Sequence, residues 1–340
     1  MSDHPLSFSQ IKTFKRCPWL YNQTYNEGIR RATKGLKLAE GDFIHRLLAG
    51  MARGNDWWVT WASIKAEYED AQLFEEEAEE VSGLADRVRQ VVQRYEQMVW
   101  KPIFSKWTII HIEEELGVIN TVLGFPVVIK PDLVARSPEG QVWLIDHKTT
   151  RDFEDQLEEN LQYDDQINLY LWGLRELGLN VVGAIHDMIR TRLPRFPGLT
   201  KKGLIDRRPC VTDEETIRAG VEEARASGAI VFDSDVADYL QNIKHHEFFK
   251  LVTTFRSDLM LDKLAEEYRL TKWMIDAHAQ IKAWPRTFIP RDCPRCPVRE
   301  LCMADLHGAD TDALMETTYR RRGEEARAPE IPTDLTEEVA

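Results

Sequence analysis

The spacing of hydrophobic residues predicts helices over the first hundred positions of the chain. Apolar residues recur at helical intervals in three segments, which are Ser7–Tyr25, Leu38–Ala52 and Trp57–Trp100. The first segment offers Ser7 or Ser9 as an N-cap, and Pro18 interrupts its pattern. The third segment has a long acidic face, so we expect one or two amphipathic helices there.

After Trp107 the hydrophobic pattern changes and predicts strands. The expected strands are Lys106–Asn120, Gly124–Arg136, Gln141–Lys148 and Val181–Arg190. The turn at 137–140 joins the second and third of them as an antiparallel hairpin. Leu157–Leu177 is predicted to be helical with Gly178 as its C-cap, and the remainder to about Trp284 to be mostly helical.

This order of elements indicates an α/β fold in which helices flank a mixed sheet. The length of 340 residues is enough for one large domain with a substantial core. We expect that domain to span 1–308, with a core over residues 38–190 and helical insertions beside it. The tail over 309–340 is polar, acidic and proline-containing, and we expect it to be disordered.

The chain has the composition of a globular protein, with 43% hydrophobic and 30% charged residues. It has no apolar run of the roughly 18 residues that a membrane-spanning helix needs. The N-terminal residues also lack the apolar stretch of a signal peptide. We therefore expect a cytoplasmic protein without a membrane partner.

The net charge of −13, taken alone, argues against a nucleic-acid partner. The acidic excess is concentrated in Glu67–Glu80, Glu154–Asp165 and the tail, whereas one later segment is basic. A locally basic groove is therefore compatible with the acidic total, although a solvated loop without a partner explains the same residues. The candidate DNA contacts in this segment are Arg190, Arg192, Arg195, Lys201, Lys202, Arg207 and Arg208.

Asp132, Asp146 and Lys148 form the most informative polar pattern in the predicted sheet. Asp146 and Lys148 share one face of a strand because side chains alternate, and the hairpin can bring Asp132 beside them. Paired carboxylates can hold Mg²⁺, and a lysine beside the cation can serve an attacking water. The alternative is a surface hairpin with ordinary salt bridges, but the apolar strand before Asp146 favours a site.

Five cysteines in a cytoplasmic chain indicate metal binding rather than disulfides. The spacing Cys293-x₂-Cys296-x₅-Cys302 lets three thiolates share one metal or cluster. Cys17, which is also followed by proline, is the natural fourth ligand, and Cys210 is left over as a buried or loop thiol. A small zinc site remains an alternative on the cysteine pattern alone.

The stretch IKPDLVARSPEGQVWLIDHKTT resembles the core of the PD-(D/E)XK nuclease superfamily in its RecB-like branch. GDFIHRLL around His45 resembles the upstream histidine motif of that branch, and QINLY resembles its Q-x-x-x-Y motif. The resemblance covers roughly residues 7–190 and 285–305, and it implies a restriction-endonuclease-like fold. The segment at about 210–280 matches nothing we recognise.

By this resemblance, His45, Asp132, Asp146 and the backbone carbonyl of His147 would bind Mg²⁺ or Mn²⁺. Lys148 would serve the attacking water, and Gln166 and Tyr170 would lie beside the site on one helical face. Asp146 stands where many relatives carry glutamate. A further ligand is expected from one of the acids Glu113, Glu114 and Glu115.

The cysteine pattern resembles the [4Fe–4S] staple of AddB-type nuclease domains and of CRISPR-adaptation exonucleases. The resemblance implies that Cys17, Cys293, Cys296 and Cys302 hold a structural cluster that joins the two ends of the chain. Closing so long a loop would remove much entropy from the unfolded chain. The cluster region then comprises Cys17 together with residues 285–305.

The sequence as a whole predicts a metal-dependent DNA exonuclease that acts on single strands or DNA ends. Such proteins take part in recombination, repair, phage replication or CRISPR adaptation, in a bacterial cytoplasm or that of a phage host. A helicase, recombination or CRISPR-adaptation protein is the expected partner, with the acidic stretch 67–80 as a docking surface. The alternatives are a non-catalytic DNA-end-binding or assembly module, a redox-sensing iron–sulfur DNA-binding protein, and an RNA substrate.

Overall fold

The computed structural model describes residues 5–32, 36–70, 75–120, 123–242 and 246–323. Most of the acidic stretch 67–80 has its side chains outside the described residues, as does the tail from 324 onward. The strands are β1 (Leu6–Ser7), β2 (Ile29–Arg31), β3 (Thr108–Ile112), β4 (Leu116–Asn120), β5 (Phe125–Ile129), β6 (Leu133–Arg136), β7 (Val142–Thr150), β8 (Val181–Arg190), β9 (Phe249–Thr254) and β10 (Tyr319–Arg321).

Helices account for most of the remaining elements. The α-helices are α1 (Phe8–Arg16), α2 (Pro18–Tyr21), α3 (Leu36–Ala52), α4 (Trp57–Asp70), α5 (Glu75–Tyr95), α6 (Leu157–Leu161), α7 (Asp165–Glu176), α8 (Glu214–Ala226), α9 (Asp233–Asn242), α10 (Asp258–Ile281), α11 (Arg299–Leu306) and α12 (Asp312–Thr317). Short π-helical turns cover Asn22–Asn26 and Glu96–Trp100, and 3₁₀ turns cover Phe104–Lys106 and Cys293–Arg295. In the described part of the chain, no helix is long and apolar enough to cross a membrane.

The chain divides into two compact units, where the sequence predicts a single domain over 1–308. The sheet unit comprises Leu36–Leu116 and Lys130–Leu261. The terminal unit comprises Met1–Gly35, Gly117–Ile129 and Asp262–Ala340. Each unit therefore brings together segments that are distant in sequence.

The sheet unit is built on five strands in the order β3-β6-β7-β8-β9. β7 and β8 are parallel and the other neighbouring pairs are antiparallel, which confirms the predicted mixed sheet. One face of the sheet packs on α3 and α5, because alternate residues such as Trp143 and Ile145 join their buried apolar side chains. The other face therefore receives the intervening positions of β7, which include Asp146 and Lys148.

Two of the predicted strands are each broken into two. Glu113 has a φ of 45°, which ends β3 and separates it from β4. Pro131 lies between β5 and β6. Because proline has no N–H to donate to a neighbouring strand, the ladder is interrupted there. As a result, β3 and β6 join the five-stranded sheet, whereas β4 and β5 pair with β1 in a three-stranded sheet.

The terminal unit begins with the predicted N-terminal helix. Ser7 caps α1 in a reciprocal capping box with Gln10, and the helix is interrupted at Cys17 before Pro18. Contrary to the expected disorder from residue 309, α12 and β10 lie in this part of the chain. Tyr319 is buried, and β10 pairs antiparallel with β2, so apolar packing and a strand partner order the chain as far as residue 321.

The segment after β8 is also less helical than the sequence predicts. β9 was expected to lie in a helical region, but it closes the edge of the sheet beside β8. Residues 196–242 form a hydrophobic cluster of their own from a loop, α8 and α9. Its buried members are Ile205, Ile217, Val221, Val231, Val236 and Tyr239.

The close approach of β8 and β9 predicts a glycine requirement at position 183. A β-carbon on Gly183 would lie 2.6 Å from the carbonyl oxygen of Thr254, so the two strands would have to separate. We expect Gly183→Ala to lower the free energy of unfolding by about 1–3 kcal/mol. Gly117→Ala is the control, because a β-carbon there meets no atom within 4 Å. Denaturant unfolding measures both, and equal stability of the two variants would contradict the packing argument.

Candidate active site

Asp132 lies where the β6–β7 ladder ends. The last pair of that ladder is Leu133 with Ile145. The next N–H of β7 that points to the same edge belongs to His147. Asp132 Oδ2 accepts a hydrogen bond of 2.8 Å from this N–H. Since the N–H and C=O of one strand residue point to the same neighbour, the His147 carbonyl faces the same edge.

His45 and Glu113 approach Asp132 from α3 and from the end of β3. His45 Nδ1 lies 3.6 Å from Asp132 Oδ2, and the Glu113 N–H donates to the Asp132 carbonyl at 3.0 Å. One potential ligand atom from each of the three side chains falls within 4.8 Å of the others. The structure thus brings Glu113, of the three adjacent acids, into the site.

The electrostatics of Asp132 are those of a carboxylate that stays ionised. Burial pushes its pKa up, but the hydrogen bond and charge of His45 outweigh burial and hold the pKa below its usual range. His147 lowers the pKa further. A carboxylate that is charged at neutral pH is suited to bind a cation.

Asp146 and Lys148 share one face of β7, as predicted. Lys148 Nζ lies 2.9 Å from Asp146 Oδ2 and donates a 3.1 Å hydrogen bond to Gln166 Oε1. It also lies 3.4 Å from Asp164 Oδ2. The charges of Asp146 and Asp164 raise the pKa of Lys148 against the opposing effect of burial, so the ammonium keeps its proton.

Asp146 is only 2% exposed, and burial raises its pKa to about 6. The Lys148 charge opposes this shift, and the nearby Asp132 charge adds to it. The Lys148 ammonium, 2.9 Å from Oδ2, is the charged partner of this carboxylate, and its hydrogen bond also lowers the Asp146 pKa. A buried carboxylate depends on such a positive partner because it is costly to bury alone.

Helix α7 brings Gln166 and Tyr170 to the site. Asp164 caps the helix by accepting a 3.0 Å hydrogen bond from the Gln166 N–H. Burial raises the pKa of Tyr170, although a hydrogen bond with the Gln166 side chain opposes the shift. Gln166 therefore lies against Lys148, and Tyr170, which is hydrogen-bonded to Gln166, is within the electrostatic reach of Asp132 and Asp146.

The donor set around Asp132 fits a divalent cation. Two carboxylates, an imidazole and a carbonyl at one strand edge offer mainly oxygen ligands, which suit Mg²⁺ and Mn²⁺. The charge of Asp132 also acts on the buried Asp146 carboxylate, so a cation beside Asp132 would relieve the repulsion between them. Asp146 itself is grouped with Asp164 and His186, whose potential ligand atoms also lie within 4.8 Å of one another.

A buried hydrogen-bond network holds the ring of His147, and the local sequence pattern did not predict it. His147 Nδ1 lies 2.8 Å from Asp187 Oδ2, which also accepts a hydrogen bond from the Tyr95 hydroxyl. The Asp187 hydrogen bond and charge raise the pKa of His147 against burial. This network fixes the His147 ring and, through it, the peptide that contacts Asp132.

The sequence analysis also did not identify His186 and Asp164 as residues of the site. His186 pairs with Asp146 in the parallel register of β7 and β8, is fully buried, and has a pKa lowered to about 4 by burial. Only the register between two distant strands reveals this contact. Asp164 had a detectable signal, because an aspartate two residues before Gln166 is a typical N-cap.

The basic segment after β8 is only partly available for DNA. The structure corrects the expectation that Arg190 contacts DNA at the surface. Arg190 is only 8% exposed and lies over the rings of Phe153 and Phe248. The other members are more exposed but several have acidic partners. Arg192 pairs with Asp152, Arg195 donates to Cys210, Arg207 pairs with Asp235 and Asp238, and Arg208 pairs with Asp206.

Lys201 and Lys202 differ from these arginines. Both are exposed in the turn between Leu199 and Ile205, and neither forms an ion pair with the residues that the structure describes. Gly203 shapes that turn with a φ of 76°. The two lysines are therefore the least compensated positive charges of the segment.

Cys17, Cys293, Cys296 and Cys302 line one cavity of about 70 Å³ in the terminal unit. Backbone N–H groups of Thr287 and Ile289 donate to two of the sulfurs, at 3.5 Å to Cys17 and 3.3 Å to Cys293. Across the described residues, no cysteine belongs to a group compact enough for a single metal ion. Cys210 belongs to the sheet unit and not to the terminal unit.

A family model of the PD-(D/E)XK nuclease superfamily matches residues 5–303 of the chain. The matched range includes the sheet with its carboxylates, helix α7 and all of the cysteines. No curated protein is significantly similar to the chain.

The burial of Asp146 predicts a pH-dependent penalty in the cation-free protein. Because its pKa is raised from an ordinary 3.8 to about 6 on folding, stability falls as pH rises through that window. The neutral Asp146→Asn variant escapes this loss. Relative to the unsubstituted protein, it should gain about 1–3 kcal/mol in free energy of unfolding between pH 4.5 and 7.5.

Urea unfolding in the presence of a chelator measures this difference. Asp233→Asn is the control, because the Asp233 side chain is 92% exposed and should show no such gain. A pH-independent difference between Asp146→Asn and the unsubstituted protein would refute the raised pKa.

Proposed function

Since the chain belongs to the PD-(D/E)XK nuclease superfamily, we propose that it is a Mg²⁺- or Mn²⁺-dependent deoxyribonuclease acting on single-stranded DNA or DNA ends. Members of the superfamily are nucleases that use divalent metals. The observation that carries the proposal is the position of the Lys148 ammonium. The ammonium lies 2.9 Å from Asp146 Oδ2 of β7 and donates to Gln166 Oε1 of α7, and Asp132 accepts from the His147 N–H of the same strand.

The proposed cation ligands are His45, Asp132, Asp146 and the His147 carbonyl, with Glu113 as an additional ligand. The bound cation would act as a Lewis acid that stabilises the charge developing on the scissile phosphate. The Asp132 carboxylate is held in place by the His147 N–H, so little reorganisation is needed on binding. The proposed ligand set therefore rests on groups that are already oriented.

Lys148 is proposed to orient the attacking water and to offset negative charge on the phosphate. Its raised pKa means that it acts as an ammonium donor rather than as a base at neutral pH. Gln166 accepts from this ammonium and is in turn hydrogen-bonded to Tyr170. Both side chains would position the water or a DNA phosphate next to Lys148.

The basic segment is the proposed DNA contact, now without Arg190. Lys201 and Lys202 are exposed and uncompensated, so they would contribute most to phosphate binding. The exposed Arg208 pairs with Asp206, and a phosphate would have to compete with that carboxylate. Arg192, Arg195 and Arg207 would contribute less, since their partners already use part of their hydrogen-bonding capacity.

The four cysteines around one cavity support a [4Fe–4S] cluster. A tetrahedral zinc needs sulfurs at about 2.3 Å from the metal, hence within roughly 4 Å of one another. The cysteines form no such compact group among the described residues, which is compatible with thiolates that are spread over a larger cluster. A cluster spreads its thiolates over several irons, and N–H donors to sulfur are typical of such sites.

The cluster would be structural in this proposal. It would tie Cys17, near the start of the terminal unit, to Cys293, Cys296 and Cys302 near its end. Processing of DNA ends in recombination, repair, phage replication or CRISPR adaptation is the biological setting that we propose. A helicase, recombination or CRISPR-adaptation protein would then be the partner.

The nuclease proposal is tested with end-labelled linear DNA, single- and double-stranded, in Mg²⁺ or Mn²⁺ after anaerobic purification. Lys148→Ala should lower the rate of hydrolysis by about 10²-fold or more, because the transition-state charge loses its donor. Lys250→Ala is the matched control on the same sheet, since Lys250 pairs with Glu158 on the surface.

Circular single-stranded DNA separates attack at ends from internal cleavage. Resistance of the circle together with degradation of the linear strand supports an exonuclease. An unsubstituted protein that is inert on all of these substrates with either cation would overturn the proposal and favour a DNA-binding module.

The cluster proposal predicts that iron and sulfide copurify at about four of each per chain. Cys296→Ala should lose both, because Cys296 lies in the cavity with Cys17 and Cys302. Cys210→Ser is the matched control and should keep them. Metal analysis decides the result, and stoichiometric zinc in place of iron would contradict the cluster.

A further inference from the structure

Asp146, Asp164 and His186 form a second group of potential cation ligands. A carboxylate oxygen of each aspartate and a ring nitrogen of His186 lie within 4.8 Å of one another. His45, Glu113 and Asp132 form a different compact group, and Asp146 is the one residue that the second group shares with the proposed catalytic ligands. The members of the second group come from β7, the N-cap of α7 and β8, so three rigid elements fix their spacing.

One buried atom in this group has no hydrogen-bond partner. His186 is fully buried, and its Nε2 contacts Thr254 Oγ1 at 3.0 Å, but its Nδ1 has no partner. Asp146 Oδ2 is paired with the Lys148 ammonium, 2.9 Å away. Leaving the His186 nitrogen unsatisfied costs about 1–3 kcal/mol, and a buried imidazole that lies with two carboxylates in one compact group points to a ligand.

Lys148 occupies the space between the two carboxylates. Its Nζ lies 2.9 Å from Asp146 Oδ2 and 3.4 Å from Asp164 Oδ2. A divalent cation bound to these oxygens would displace the ammonium by like-charge repulsion. The hydrogen bond from Lys148 to Gln166 Oε1 gives the displaced side chain a remaining partner.

The charges around the two ligand groups predict that they bind a cation with unequal affinity. The Asp146–Asp164–His186 group already has positive neighbours, because Lys148 contacts both carboxylates and the charge of Arg256 acts on Asp164 and His186. The group of His45, Glu113 and Asp132 has the Lys130 ammonium beside Glu113, at 3.2 Å. The second cation must enter a site that is already neutralised, and it should therefore bind more weakly.

We propose that Asp146, Asp164 and His186 form a second, weaker cation site, and that its occupation displaces Lys148 and slows hydrolysis at high metal concentration. An imidazole ligand with two carboxylates favours Mn²⁺ over Mg²⁺. The effect on hydrolysis rests on the proposed nuclease function, whereas cation binding does not.

Binding of Mn²⁺ to the full chain, counted by equilibrium dialysis and by loss of the free-ion electron paramagnetic resonance signal, is the direct test. We expect two Mn²⁺ per chain, with Asp164→Asn weakening the weaker site by at least about tenfold. Asparagine caps a helix as well as aspartate, so α7 keeps its N-cap in this variant.

Asp213→Asn is the matched control. Asp213 also caps a helix, by accepting from the Thr216 N–H, and also pairs with an arginine, Arg94. It should leave both Mn²⁺ affinities unchanged. If circular dichroism shows that Asp164→Asn does not fold, His186→Gln takes its place with the same expected loss.

Hydrolysis measured against Mn²⁺ concentration provides the second readout. The hydrolysis rate of the unsubstituted protein should rise to a maximum and then decline as the Mn²⁺ concentration increases. The rate of the Asp164→Asn variant should show no such decline. A single Mn²⁺ per chain, or a weaker site unaffected by Asp164→Asn and His186→Gln, overturns the second site. Two Mn²⁺ with the expected variant effect but no hydrolysis would retain the site and reject the nuclease function.

Discussion

The hydrogen bond from the His147 N–H to the Asp132 carboxylate organises the sheet unit's polar centre. It forms where β6 has not yet begun, so a side chain takes the role that a neighbouring strand would otherwise have. The same peptide is held from the opposite side through the His147 ring by Asp187 and Tyr95. Removing either support would let the strand edge shift, and the acidic groups that converge there would separate.

The two aspartates at this edge have opposite electrostatic surroundings. Asp132 is stabilised as an anion by His45 and His147, which keep its pKa low. Asp146 is buried beside another carboxylate, and a single lysine does not fully compensate it, so its pKa is raised. Many functional sites separate the pKa values of adjacent carboxyl groups in this way.

The local sequence pattern predicted the elements that carry the site. The alternation in β7 placed Asp146 with Lys148, β8 was predicted with its observed ends, and the spacing of Gln166 and Tyr170 gave their helical face. These features depend on neighbours in sequence, and short-range periodicity records them. The α/β class followed from the same patterns and agrees with the family match.

The local pattern could not predict features that depend on residues distant in sequence. The contact of Asp146 with His186 depends on the register of two parallel strands, and β9 is set by its pairing with β8. The left-handed conformation of Glu113 and the proline before Asp132 divided strands that looked continuous. Arg190 looked like a loop residue because its burial under Phe153 and Phe248 depends on packing from other segments.

The separate hydrophobic cluster over residues 196–242 bears on how this protein can evolve. The segment with Lys201 and Lys202 rests on Ile205 and its neighbours, whereas the β7 carboxylates rest on the core shared with α3 and α5. Substitutions among the buried residues of this cluster therefore act first on the segment that bears the lysines, and the pair of Arg94 with Asp213 is one tie between α8 and α5. Selection can vary this surface with little direct constraint from the core of β7.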